Sequence, residues 1–137
     1  MKRLDEERTR FAYHALRELR TDDVRDLEPI LAGLPAQIRA QGLPLALALL
    51  GGKPDRKSQW VIKLLERWHS EKNLIGLLKS GTPTPESTGW LLERLIDCDR
   101  SVYRAVQADA LALLEKAKVL CRALKTGYEA SSQDRGV

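Results

Sequence analysis

With 137 residues, the chain has length for one compact domain with a core of its own and too little for two comfortable ones. Apolar residues make up 43% and charged residues 31%, which sets it apart from disordered tails; 24 Leu and 14 Ala against 11 Val plus Ile, with aromatics at 5%, argue against sheet-rich classes. The 23 basic and 19 acidic side chains leave a net +4, which permits a polyanionic partner without arguing for one.

The longest apolar run, residues 43–50, contains Pro44 and falls well short of the roughly 20 residues needed to cross a bilayer. Lys2 and Arg3 are followed by Asp5, Glu6 and Glu7 instead of an apolar segment, so no secretory signal is visible and a cytoplasmic location is expected. Cys98 and Cys121 read as reduced thiols on helices, not as a disulfide framework.

In chain order, Leu4, Phe11, Ala12, Ala15, Leu16 and Leu19 recur at helical spacing and predict a first helix from Lys2 to about Thr21. Asp22 or Asp23 is expected to cap a second, with Val24, Leu27, Ile30, Leu31 and Leu34 on its apolar face. Pro35 either kinks that helix or opens a new turn, and Gly42 with Pro44 marks the next corner. The short helix over 43–50 is apolar all round, which predicts a place at the bundle centre or under a partner subunit.

Residues 51–55, Gly-Gly-Lys-Pro-Asp, form a loop in which Asp55 caps the next helix, defined by Val61, Leu64, Leu65 and Trp68. A further apolar stretch at 74–78 ends at a Gly- and Pro-rich loop, with Thr84 and Pro85 as cap and first residue of the helix carrying Trp90 to Ile96. Asp99 is expected to cap the last and longest helix, from about Arg100 to Lys125, with Gly127 as its stop. The expected organisation is a single all-α bundle of six or seven helices over residues 1–128, with a mobile tail over 129–137.

Catalytic signals are weak. His14 and His69 lack metal-ligand spacing, so neither a metal nor another cofactor is expected. Gly51-Gly52-Lys53 only superficially resembles a phosphate loop, because Pro54 stands where Ser or Thr is required and no strand precedes it. Asp97 and Asp99 do not share a helical face, His69 reads as a part-exposed side chain with its tip in water, and Cys121 reads as core filling. No enzyme is predicted.

Charge is distributed unevenly: residues 53–79 carry seven basic and three acidic side chains, while 22–42 carry two basic and four acidic. On the first helix Arg3, Arg10, Tyr13, Arg17 and Arg20 fall on one stripe; Arg56, Trp60, Lys63 and Arg67 repeat the pattern later, and the last helix offers Lys118, Arg122 and Lys125. Such stripes follow a phosphate backbone, with an aromatic on which an unpaired base can stack, or they simply solvate the outside of a bundle.

Two segments carry a family resemblance. Leu34-Pro35-Ala36-Gln37-Ile38-Arg39-Ala40-Gln41-Gly42-Leu43 ahead of an apolar helix, and Tyr103-Arg104 leading to Asp109-Ala110-Leu111 and Lys118, resemble the small helical subunit of Cmr-type (type III-B) CRISPR effector complexes. Two departures stand out: Asp109 replaces the usual Glu, and Val119 interrupts the usual basic pair.

The resemblance implies a non-catalytic subunit of an antiviral ribonucleoprotein. Several copies would stack with one another and with other effector subunits beside the guide RNA, and would hold target RNA along a basic surface. On that reading the RNA-contact candidates are Arg10, Arg17, Lys63 and Arg67, backed by Arg3, Arg20, Arg104, Lys118 and Arg122. Competing readings are a helical adaptor that binds only protein and, further off, a DNA-binding helical regulator.

Overall fold

The computed structural model describes residues 2–72 and 89–135, and within them the chain is all-α. Six helices are present among the described residues: α1 (Lys2–Arg17), α2 (Thr21–Gln41), α3 (Leu43–Gly51), α4 (Arg56–Lys72), α5 (Trp90–Asp97) and α6 (Arg100–Arg135). The apolar stretch at 74–78 and the Thr84-Pro85 cap lie outside the described residues. Two compact units divide the chain, one made of Met1–Pro35 with Ala112–Val137, the other of Ala36–Leu111.

In the first unit, Ala12, Ala15 and Leu16 of α1, Val24, Leu27, Leu31 and Leu34 of α2, and Leu113, Leu114, Ala117 and Cys121 of α6 are buried. Their i, i+3, i+4 and i+7 spacing puts each set on one face of its helix, and removing those faces from water is the main stabilising term. The second helix begins two or three residues earlier than expected: Val24 N–H bonds to the Arg20 carbonyl. Asp22 and Asp23 therefore lie inside the first turn, where their charge favours the helix dipole, instead of capping it. Pro29 and Pro35 both sit within α2, which continues to Gln41 although each proline withholds one ladder hydrogen bond.

The second unit buries Ile38, Leu43, Leu47, Leu50, Val61, Leu65, Trp68, Trp90, Leu91, Leu95 and Val106, among others, and α3 packs against both α4 and α5. Gly42 makes the corner between α2 and α3 at φ 89°, a left-handed conformation that favours glycine, and a side chain there would run into the Tyr103 hydroxyl. Pro44 lies in the first turn of α3, as expected, and the Leu43 N–H donates to Gln107 Oε1 at 2.9 Å. Only one face of α3 is buried, however: Leu45 and Leu49 are 48% and 44% exposed. A wholly apolar sequence cannot reveal which face a neighbour covers, and the bundle-centre expectation fails for that reason.

Asp55 caps α4 as predicted, its Oδ1 accepting the Ser58 N–H at 2.8 Å. That bond, helped by Lys57, holds the carboxyl below its ordinary pKa. The cap is thus intact at neutral pH and is lost only as acid takes the pH down through that lowered value. The last helix starts with Tyr103 N–H on the Asp99 carbonyl and runs through Gly127 to Arg135. A single glycine costs a helix only about 1 kcal/mol, so the expected stop at Gly127 does not occur.

Cys121 Sγ–H donates to the Val24 carbonyl at 3.3 Å. Burial, with Glu28 nearby, pushes its pKa up to about 11 against the opposing pull of Lys125. Cys98, half-buried at the end of α5, lacks that enclosure. Iodoacetamide labelling of the native chain followed by mass spectrometry should modify Cys98 about tenfold faster or more than Cys121, and equal rates would contradict the burial of Cys121.

Candidate nucleic-acid interface

On an α-helix a step of seven residues returns to within about 20° of the same direction. Arg3, Arg10 and Arg17 therefore leave α1 on one side, away from buried Ala12, Ala15 and Leu16, and all three are exposed. Arg20 follows the end of α1 and is exposed too. The same geometry on α4 turns Lys63 and Arg67 away from Val61, Leu65 and Trp68, with half-buried Trp60 between Arg56 and Lys63 on their stripe. Arg104 is exposed on the part of α6 that belongs to the second unit.

Salt-bridge geometry sorts these candidates. Arg122 Nη2 lies 3.3 Å from Glu28 Oε1 and Lys118 Nζ 2.9 Å from Glu115 Oε2, so both are already neutralised locally. Arg3 Nε is 4.0 Å from Glu7 Oε1, the Arg17 guanidinium lies over the Tyr13 ring at 6.0 Å from its centroid, and Arg67 is also engaged within the chain. Arg10, Arg20, Lys63 and Arg104 make no ion pair among the described residues. An exposed cation without a local partner gives up no protein contact when a phosphate arrives, so these four are the best placed of the nine.

The first unit also brings in side chains that the sequence did not single out. An open groove of about 500 Å³ lies between α1 and α6, lined by Arg10, Tyr13, Lys116 and Leu120 among others. Tyr13 is 40% exposed there. Lys116 escaped notice because it lies off the stripe of Lys118, Arg122 and Lys125; only the packing of α6 beside α1 puts it next to Arg10.

Chemistry of another kind is excluded from its expected place. His69 is buried, 5% exposed, and does not have its tip in water. Its Nδ1 faces the Leu65 carbonyl at 2.8 Å; a carbonyl only accepts, so Nδ1 carries a proton. Nε2 lies 3.5 Å from Asp109 Oδ2, and the same oxygen accepts the Trp68 Nε1–H at 2.7 Å. With Asp109 only 6% exposed, this cluster has no open face for a substrate and instead fastens α4 to α6. No group of three His, Cys, Asp or Glu side chains among the described residues is placed to hold a metal ion. Among the described residues, no helix is long and apolar enough to cross a membrane.

Fold and surface define a small all-α protein in which exposed Arg10, Arg20, Lys63 and Arg104 make no ion pair among the described residues and the buried Trp68–His69–Asp109 cluster serves packing. The profile of one family, CRISPR-associated protein (Cas_Cmr5), matches residues 4–124, and the chain belongs to that family, the small subunits of Cmr-type (type III-B) CRISPR systems. It matches no curated protein and no solved structure.

Proposed function

We propose that this chain is a non-catalytic small subunit of a type III-B CRISPR ribonucleoprotein effector in antiviral defence. Several copies stack along the guide–target RNA, beside the other effector subunits, and stabilise target RNA through a basic surface. The observation that carries this reading is the set of exposed cations, Arg10, Arg20, Lys63 and Arg104, that make no ion pair among the described residues of a chain in this family. Guide pairing supplies sequence recognition, so the subunit needs electrostatic and shape contacts and no base-edge code.

A second reading, a helical adaptor that contacts protein only, is favoured by Leu45 and Leu49, exposed one turn apart on uncharged α3. A native affinity pull-down of the tagged chain from its own cells, with mass spectrometry and RNA sequencing, separates the two. Effector subunits recovered together with short guide RNAs bearing a repeat-derived tag support the first reading. Unrelated proteins without RNA overturn it and leave the adaptor.

A further inference from the structure

We infer that the groove between α1 and α6 is a seat for one unpaired nucleotide of a single-stranded RNA, with the base on the Tyr13 ring and its phosphate between Arg10 and Lys116. This deepens the RNA-contact reading above and rests on it.

The groove offers three different chemistries within the reach of a nucleotide. Tyr13 and Leu120 provide an aromatic face and an apolar wall. Arg10 and Lys116 provide positive charge from two different helices, and neither makes an ion pair among the described residues. Asp5 and Glu6 line the same groove one to two turns nearer the start of α1. Arg8 already holds Asp5 at 2.8 Å, whereas Glu6 has no such ion pair among the described residues and is exposed.

That combination discriminates between polyanions. An acidic peptide would gain from Arg10 and Lys116 but would bring its carboxylates against Asp5 and Glu6 and leave Tyr13 unused. A nucleotide carries one anionic group, one flat π-face and, on the base, N–H donors suited to a carboxylate acceptor, and so uses every side of the groove. The bases of a duplex already have both faces covered by stacking, so only an unpaired base can reach the ring. On α1, Tyr13 lies three residues beyond Arg10, an axial rise of about 4.5 Å, which suits a base and its own phosphate. The Arg17 guanidinium over the Tyr13 ring, 6.0 Å from its centroid, adds a cation to the stack.

The test uses the full chain, isotope-labelled and observed by NMR. Adenosine 5′-monophosphate should shift the Tyr13 ring resonances, and inorganic phosphate at the same concentration should not. Tyr13→Ala should weaken binding of a single-stranded hexanucleotide at least about fivefold, Tyr13→Phe should retain it, and binding of a duplex of the same length should not respond to either change. Because Tyr13 is partly exposed, the variant spectra also report whether the fold is kept.

A Tyr13 shift matched by phosphate alone, or unchanged hexanucleotide affinity in Tyr13→Ala with a loss in Arg10→Glu, overturns the nucleotide seat while leaving the RNA-contact reading standing. Shifts around Lys63 and Arg67 but none at Tyr13 do the same. Absence of any response to single-stranded RNA, by the chain alone and by the assembled complex, overturns both.

Discussion

Asp109→Ala should lower the unfolding free energy by roughly 1–3 kcal/mol, the cost of leaving a buried indole N–H without its acceptor. Trp68 Nε1–H donates to Asp109 Oδ2 at 2.7 Å and His69 Nε2 lies 3.5 Å from the same atom, and all three side chains are buried. Water cannot replace the lost acceptor as it would at the surface. Asp109→Asn keeps an acceptor for the indole and should cost about 1 kcal/mol, close to a single neutral hydrogen bond.

Urea denaturation followed by tryptophan fluorescence gives both numbers, and a double-mutant cycle with Trp68→Phe isolates the pairwise part. An unchanged midpoint for Asp109→Ala would mean that the carboxylate is not the fastening between α4 and α6 described above.

Glu66→Ala should cost about 2–3 kcal/mol, and its effect should be concentrated at one helix end. α5 begins after Gly89, which has no side chain with which to cap it and sits at φ 103°. The missing acceptor comes from α4: Glu66 Oε2 takes the N–H of Gly89 at 2.8 Å and of Leu91 at 3.3 Å. A buried carboxylate at a helix N-terminus satisfies two orphan donors and meets the positive end of the dipole. Glu66→Gln retains one acceptor oxygen but loses the charge, and should fall between wild type and Ala. Amide hydrogen exchange resolves the claim: Leu91 should lose protection more than Leu47 or Leu64. Uniform loss across the three would show a general destabilisation instead of an uncapped α5.

Asp109 and Glu66 also show where sequence stops being informative. The helices themselves are legible because they are specified locally: apolar spacing on α1, α4 and α6, Asp55 three residues ahead of the Ser58 N–H it binds, and Pro44 in a first turn. Glu66 looks like an ordinary surface charge on an amphipathic helix until the residues 23 and 25 positions later fold onto it. His69 reads as solvent-facing because its partner, Asp109, is on another helix, 40 positions from it by residue number.

The surface follows the same division. Helical spacing shows that Arg3, Arg10 and Arg17 share one side, but not that Arg122 is taken by Glu28, 94 positions away, while Arg10 is left open. The two-sidedness of α3 is hidden for a related reason: Leu45 and Leu49 differ from Leu43 and Leu47 in nothing but their neighbours. Family membership is legible in short runs such as Leu34-Pro35 through Gly42-Leu43, a stretch that holds a proline inside a continuing helix and the left-handed glycine that ends it.

The most direct measurement of the central claim is retention of target RNA by the assembled effector as a function of salt, with wild-type chain and with Arg10→Glu/Arg17→Glu in its place. If α1 lies along RNA phosphates, the double reversal should weaken retention and flatten the slope of log affinity against log salt by roughly 1.4–1.8, from about 0.7 per phosphate contact on a single strand to about 0.9 on a duplex. Identical affinity and identical slope, with the variant incorporated at the wild-type copy number, would contradict the assignment of that surface to RNA.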